Sequence, residues 1–201
     1  MRPPRPLCLI FLGLVHLHTA YSAGDWPQFR GPEGNGLSHA KNVPIRWSSD
    51  ASVAWSVEIP GSGWSSPVVS GGKVYLTSAV PDAAGEVSLN AICVDALTGG
   101  LVWNKEIFRP EAGDVKAMHK KNTAASPTPI VADQKIYVHF GHMGTAALDL
   151  NGNVLWKAEF PGRVAVIPTV IDGGGGFIYV TAGYGVGCKL IRIGADGKSV
   201  E

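Results

Sequence analysis

Excess charge of either sign is missing from this chain. Its 17 Lys and Arg nearly balance 16 Asp and Glu, leaving a net charge of +1. No surface field follows that would gather a phosphate backbone or an anionic lipid, so composition offers nothing for nucleic-acid binding. Charged residues are few, 16% against 45% hydrophobic, the balance of a chain that buries a core rather than staying disordered. The apolar run from Leu7 to Leu17 is too short to cross a bilayer. Long helices are excluded as well, because 26 Gly and 14 Pro in 201 residues interrupt the chain too often. That punctuation favours many short strands joined by tight turns. Cysteine is scarce, with only Cys8, Cys93 and Cys188.

What is present begins with an export signal. Arg2 and Arg5 precede the short apolar run, and Ala20 and Ser22 supply an A-x-S cleavage pattern. Residues 1–22 are therefore expected to be a signal peptide, with the mature chain starting near Ala23 in the periplasm or outside the cell. Cys8 leaves with the signal. Residues 23–52 form a Pro/Gly-rich lead-in without periodicity, in which Trp26 and Phe29 are expected to pin the segment against the domain.

The remaining 53–201 repeats one phrase three times, at about 62–107, 122–160 and 163–201. Ser66-Pro67-Val68-Val69 leads through Lys73-Val74-Tyr75-Leu76 to Asp95-Ala96-Leu97-Thr98-Gly99 and Trp103. Ser126-Pro127-Thr128-Pro129 leads through Lys135-Ile136-Tyr137-Val138 to Asp149-Leu150-Asn151-Gly152 and Trp156. Ile167-Pro168-Thr169-Val170 leads through Phe177-Ile178-Tyr179-Val180 to Gly194-Ala195-Asp196-Gly197, and Glu201 stands where a third Trp would fall. A period of roughly 40 to 50 residues built of short strands and Gly-marked turns predicts a propeller, whose units bury their faces by stacking.

Val53, Trp55, Val57 and Ile59 alternate with polar or small residues and predict a half-buried strand. The same register recurs around Trp103 and Trp156, with Glu58, Glu106 and Glu159 each three residues after a Trp. These segments are expected to be outermost, fourth strands, their indoles crossing to the next blade. In each preceding turn Asp95 or Asp149 bonds nearby backbone, and Gly99 or Gly152 supplies positive φ. Three blades fall short of the smallest closed rings of about four. The expected fold is all-β, an incomplete propeller of about three four-stranded blades. Cys93 and Cys188 stand at different offsets from their turn glycines, two blades apart. Two separately buried thiols are expected rather than a disulfide.

The stretch from Ala91 to Trp103, with its Asp95-x-x-Thr98-Gly99, resembles the tryptophan-docking repeat of pyrroloquinoline-quinone (PQQ) type β-propellers. The second copy lacks the Thr, and the third lacks both Asp-x-x-Thr and Trp. Asp25-Trp26-Pro27-Gln28-Phe29-Arg30-Gly31-Pro32 and Gly183-Tyr184-Gly185-Val186-Gly187-Cys188 further resemble the exported PQQ-like repeat proteins of planctomycete bacteria. The resemblance covers about 25–201. It implies the propeller fold, which serves both quinoprotein dehydrogenases and the non-enzymatic scaffold of outer-membrane protein assembly.

In the dehydrogenases the resemblance implies PQQ over Ca²⁺ in the central channel, an Asp base, acidic and amide ligands and a disulfide between adjacent cysteines. No adjacent cysteines occur here, and Asp95 and Asp149 are already committed to turns. No cofactor, metal or catalytic residue is therefore expected, with PQQ and Ca²⁺ only under the alternative reading below. His139 and His142 are three apart on a structure of period two and read as polar residues at a strand end, not a metal pair. The glycines from 183 to 187 precede an alternating strand, not a helix, so they read as a strand connection rather than a dinucleotide loop. Gly173 to Gly176 reads as a hairpin turn. His119, Lys120, Lys121 and Asn122 close a longer inter-blade segment from Phe108 and are the candidate partner loop, for an acidic protein or a saccharide. The function read from the sequence is an exported, non-catalytic binding or scaffold module, joined by further repeats or self-associating. The alternative is the N-terminal part of a PQQ-dependent quinoprotein oxidoreductase.

Overall fold

The computed structural model describes residues 24–48, 50–111, 113, 122–160, 167–183 and 185–200. The expected signal peptide, 1–22, lies outside them, as does Glu201. Among the described residues no helix is long and apolar enough to cross a membrane.

The chain is all-β. Its first sheet holds β1 (Val68–Ser70), β2 (Lys73–Pro81), β3 (Val87–Asp95) and β4 (Leu101–Phe108) in that order, all antiparallel. The second holds β5 (Ile130–Ala132), β6 (Lys135–His139), β7 (Thr145–Asp149) and β8 (Val154–Ala158), with a short 3-10 turn at Gly141–Met143. The third holds β9 (Ile171–Gly174), β10 (Phe177–Ala182) and β11 (Gly187–Arg192). These are three propeller blades, two of four strands and one of three. The Gly174–Gly176 corner and the 183–187 connection both join neighbouring antiparallel strands.

Equivalent cross-strand pairs fix the repeat. Val68 faces Tyr75, Ile130 faces Tyr137 and Ile171 faces Tyr179. Side chains alternate across each sheet, so a middle blade must be apolar on both faces. Blade 2 meets that demand. Ile136, Val138, Ala146 and Leu148 pack with Val68, Tyr75, Leu89 and Ile107 of blade 1, whereas Tyr137, Ala147 and Trp156 pack with Ile178, Val180 and Ile191 of blade 3. Burying each such large side chain contributes about 1.5–3 kcal/mol. Blade 3 turns the other face outward, and Ile171 and Leu190 are 54% and 57% exposed.

The segment 53–59 forms no strand, contrary to its alternation. Val53 and Val57 are exposed, and among the described residues no strand runs alongside. The chain instead crosses blade 1 through an isolated Ser62–Ala79 bridge, with the Ser78 hydroxyl donating to the Pro60 carbonyl.

Candidate functional site

Two tryptophans bridge to turns of the following unit in the same way. Trp103 Nε1 donates to the Leu150 carbonyl at 3.2 Å, and its ring lies over Gly152 of blade 2. Trp55 Nε1 donates to the Ala96 carbonyl at 3.0 Å, and its ring lies over Gly99 of blade 1. Thus Trp55, although outside any strand, occupies the place toward blade 1 that Trp103 occupies toward blade 2. Trp156 is buried against blade 3, but among the described residues its Nε1 has no partner, and Lys135 rather than an indole stands over Gly197.

The turns are held by their aspartates. Asp95 Oδ1 accepts from Leu97 N, Thr98 N and Thr98 Oγ1, while Oδ2 accepts from Lys73 Nζ at 2.7 Å. The Lys73 bond, then those from Thr98, hold this carboxyl well below the usual range. Asp149 accepts from Asn151 N, Asn153 N and Asn153 Nδ2. Burial works against its ionisation, but the Asn153 bonds outweigh it and the carboxyl lies below its ordinary value. In the third turn Asp196 accepts from Lys198 N, Ser199 N and Ser199 Oγ, four positions beyond Arg192, which holds the register place of Asp95 and Asp149, but with the same chemistry.

On the channel side, the lead-in is a strap across the innermost strands. Trp26 exchanges both backbone bonds with Val69 of β1, at 2.7 and 2.9 Å, and the Pro27 carbonyl accepts from Val131 N of β5 at 2.8 Å. Asp25 accepts from Gly71 N at 3.1 Å and from the Ser70 hydroxyl at 3.4 Å. The strap then turns back at Arg30 and Gly31, both left-handed with φ of 66° and 81°. A Cβ on Gly31 would strike the Trp26 ring at 2.7 Å, so only glycine fits there. Trp26 pins the strap as expected, while Phe29 is 54% exposed and does not.

The strap ends beside an open cleft of about 850 Å³, lined by residues that precede β1 and β5, Trp64 and Ser66 and then Ser126 and Thr128, and by Ile167 to Ile171, which lead into β9. Phe29 and Arg30 complete its wall. The entries to blades 1 and 2 are stitched together, since Trp64 N donates to the Ala125 carbonyl and Ser66 N to Thr128 Oγ1, both at 3.0 Å. Among the described residues no such bond reaches Ile167–Val170, and the cleft opens there. Sequence reasoning missed this site, because side-chain periodicity does not register segments that pair through their backbones.

Several expected residues stand elsewhere. His139 is not a surface residue: it is fully buried, with Nδ1 2.9 Å from Thr145 Oγ1, its ring edge-on to Phe160 at 5.6 Å and Nε2 without a partner among the described residues. Burial pushes it down to about 4. Cys93 is buried and its thiol is pushed up to about 11 by desolvation, which makes it inert. Cys188 is exposed, not buried, because β11 presents it on the outward face of blade 3. Asn122 Oδ1 accepts from Thr123 N at 2.9 Å and bonds the Ser126 hydroxyl, closing a turn before β5. His119, Lys120 and Lys121 of the candidate partner loop lie outside the described residues.

The described residues do not fit a Ca²⁺-bound quinone. Arg30 is the one charged side chain among those lining the cleft, and no carboxylate joins it. No group of three or more His, Cys, Asp and Glu among the described residues is placed to hold a metal ion.

Solved structures share the fold. A quinohemoprotein alcohol dehydrogenase from Comamonas testosteroni aligns with a TM-score of 0.61 at 18% identity, over 88% of this chain and 26% of its own. A europium-containing methanol dehydrogenase aligns with a TM-score of 0.51 at 16% identity, over 74% of this chain and 26% of its own. BamB from Moraxella catarrhalis gives 0.37 at 12% identity, over 63% and 41%. The chain therefore spans about a quarter of the length of the dehydrogenases it matches. No curated protein matches it. Residues 39–197 match the family described as outer membrane protein assembly factor BamB, and with its repeated Tyr-bearing strands and Gly-marked turns the chain belongs to that PQQ-like propeller family.

Proposed function

We propose that this chain is an exported, non-catalytic binding or scaffold module, working in the periplasm or at the cell surface. The observation that carries the reading is the lining of the cleft beside the strap. The cleft beside the innermost strands is lined by hydroxyls, apolar residues and Arg30, and the aspartates of the blade turns are consumed by capping. The family description as an assembly factor supports the same reading. Stacked blades would hold the strap, the cleft and the inter-blade loops in fixed relation, and a partner would dock on that frame.

The alternative is that the chain forms the N-terminal part of a PQQ-dependent oxidoreductase, which the fold of the two dehydrogenases favours. A turnover assay separates the two. The purified chain, supplied with PQQ, Ca²⁺, short alcohols or aldoses and an artificial electron acceptor, is expected to reduce no acceptor above the protein-free rate. Acceptor reduction that saturates with substrate would establish the alternative.

A further inference from the structure

Among the described residues the strap covers two of the three first strands. Val69, Val131 and Asp172 are equivalent, each the second residue of its strand and opposite Val74, Ile136 and Ile178 respectively. The strap meets the first two, Trp26 at Val69 and Pro27 at Val131. It turns away before the third, at Arg30 and Gly31. Among the described residues β9 pairs only with β10, and all four of its residues are exposed. An unpaired strand edge is a template for another extended chain. The cleft opens beside this edge, with Ile171 in its wall.

From these observations we infer that the inner edge of β9 is a docking site for an extended acidic peptide segment of a partner protein, continuing around the channel the pairing that the strap makes on β1 and β5. The main chain of Asp172 supplies the bonds. Ile171 and the exposed Trp64 supply an apolar wall, and Arg30 receives a carboxylate. Arg30 has donors to spare, since a guanidinium carries five N–H groups and its Nη2 bond to the Asn35 carbonyl uses one. The left-handed φ of Arg30 holds the guanidinium's residue at the cleft wall at some conformational cost. This inference rests on the binding-module reading and names its site.

The probe is a fluorescent octapeptide, capped at both ends, alternating Val or Phe with Asp or Ser. Its binding to the purified chain is followed by anisotropy and by amide hydrogen exchange. The expected result is saturable binding with exchange across Ile171–Gly174 slowed about tenfold. Asp172→Pro, which removes the edge amide, should weaken binding at least about tenfold, whereas Asp172→Ala, which keeps that amide and removes a carboxylate facing an acidic peptide, should bind at least as tightly as the wild type. Arg30→Ala should weaken the acidic peptide several-fold, about as much as replacing the peptide's Asp by Asn does in the wild-type chain. Absence of saturable binding, equal binding by Asp172→Pro, or protection appearing on 53–59 or β4 instead of β9 would overturn the inference. None of these outcomes changes the turnover assay, so a failure here is distinguishable from failure of the binding-module reading.

Discussion

The indole of Trp103 leaves no room for a side chain on Gly152: a Cβ there would stand 2.9 Å from Cδ2 and 3.0 Å from Cε2. Gly152 also has φ of 83°, where an L-residue is strained. Gly152→Ala should therefore cost about 2–4 kcal/mol, more than Gly71→Ala, which meets only the φ penalty of about 1–2 kcal/mol because nothing lies within 4 Å of its Cβ. Urea unfolding measures both. Trp103→Ala alone should cost about 3–5 kcal/mol, and the Gly152→Ala penalty should shrink when Trp103 is already gone.

Trp103 and Trp156 differ in their hydrogen bonding, and Phe substitution isolates that difference. Trp103→Phe loses the bond to Leu150, whereas Trp156→Phe removes an N–H that has no partner among the described residues. Beyond the shared loss of ring volume, Trp103→Phe should be the more damaging by about 1 kcal/mol. Equal losses in chemical denaturation would show that the Trp103 bond contributes nothing net.

His139 gives a pH window. Its folded value, about 4, lies below the 6.5 of the free side chain, because burial disfavours the cation. Above 6.5 the imidazole is neutral whether folded or not, so its stability contribution is complete there. As pH falls from 6.5 toward 4 the unfolded chain takes the proton first, and stability drops by up to about 3 kcal/mol. His139→Gln should lack that slope. Asp95, held below its ordinary range, loses its contribution only at lower pH. A wild-type stability flat between pH 6.5 and pH 4 would contradict the buried placement.

The β5–β6 corner uses Asp133 and Gln134 at φ of 48° and 60°, where β1–β2 uses Gly71 and Gly72. Glycine avoids the steric cost of that conformation. Gln134→Gly should raise the melting temperature, with a gain of up to about 1 kcal/mol after its greater unfolded-state entropy is counted. A fall in melting temperature would mean that the Gln134 side chain holds the corner.

Much of the fold can be read from the residues, and the limits have physical causes. Val68–Tyr75, Ile130–Tyr137 and Ile171–Tyr179 carry the blade register, and the turn glycines carry the hairpins. Alternation reports which face a residue prefers but not whether a neighbouring strand exists, so 53–59 looked like a strand and is none. His139 reads as polar because a Gly-rich turn follows it; in the fold its ring packs edge-on to Phe160, a contact with no local signal. The strap was the hardest to foresee. Its pairing runs through the backbone of Trp26 and Pro27, and backbone bonds leave no mark on side-chain pattern. The cleft beside it gathers residues from three repeats, which no single motif contains.

The central claim, that this propeller binds partners rather than oxidising them, is tested most directly by titrating the purified chain with PQQ at saturating Ca²⁺ and following the quinone's absorption. A cleft without carboxylates predicts a spectrum that is the sum of its parts, with no saturable change at any protein concentration. A saturable, Ca²⁺-dependent shift of the quinone band, lost in Arg30→Ala, would contradict the account and make the chain part of a quinoprotein.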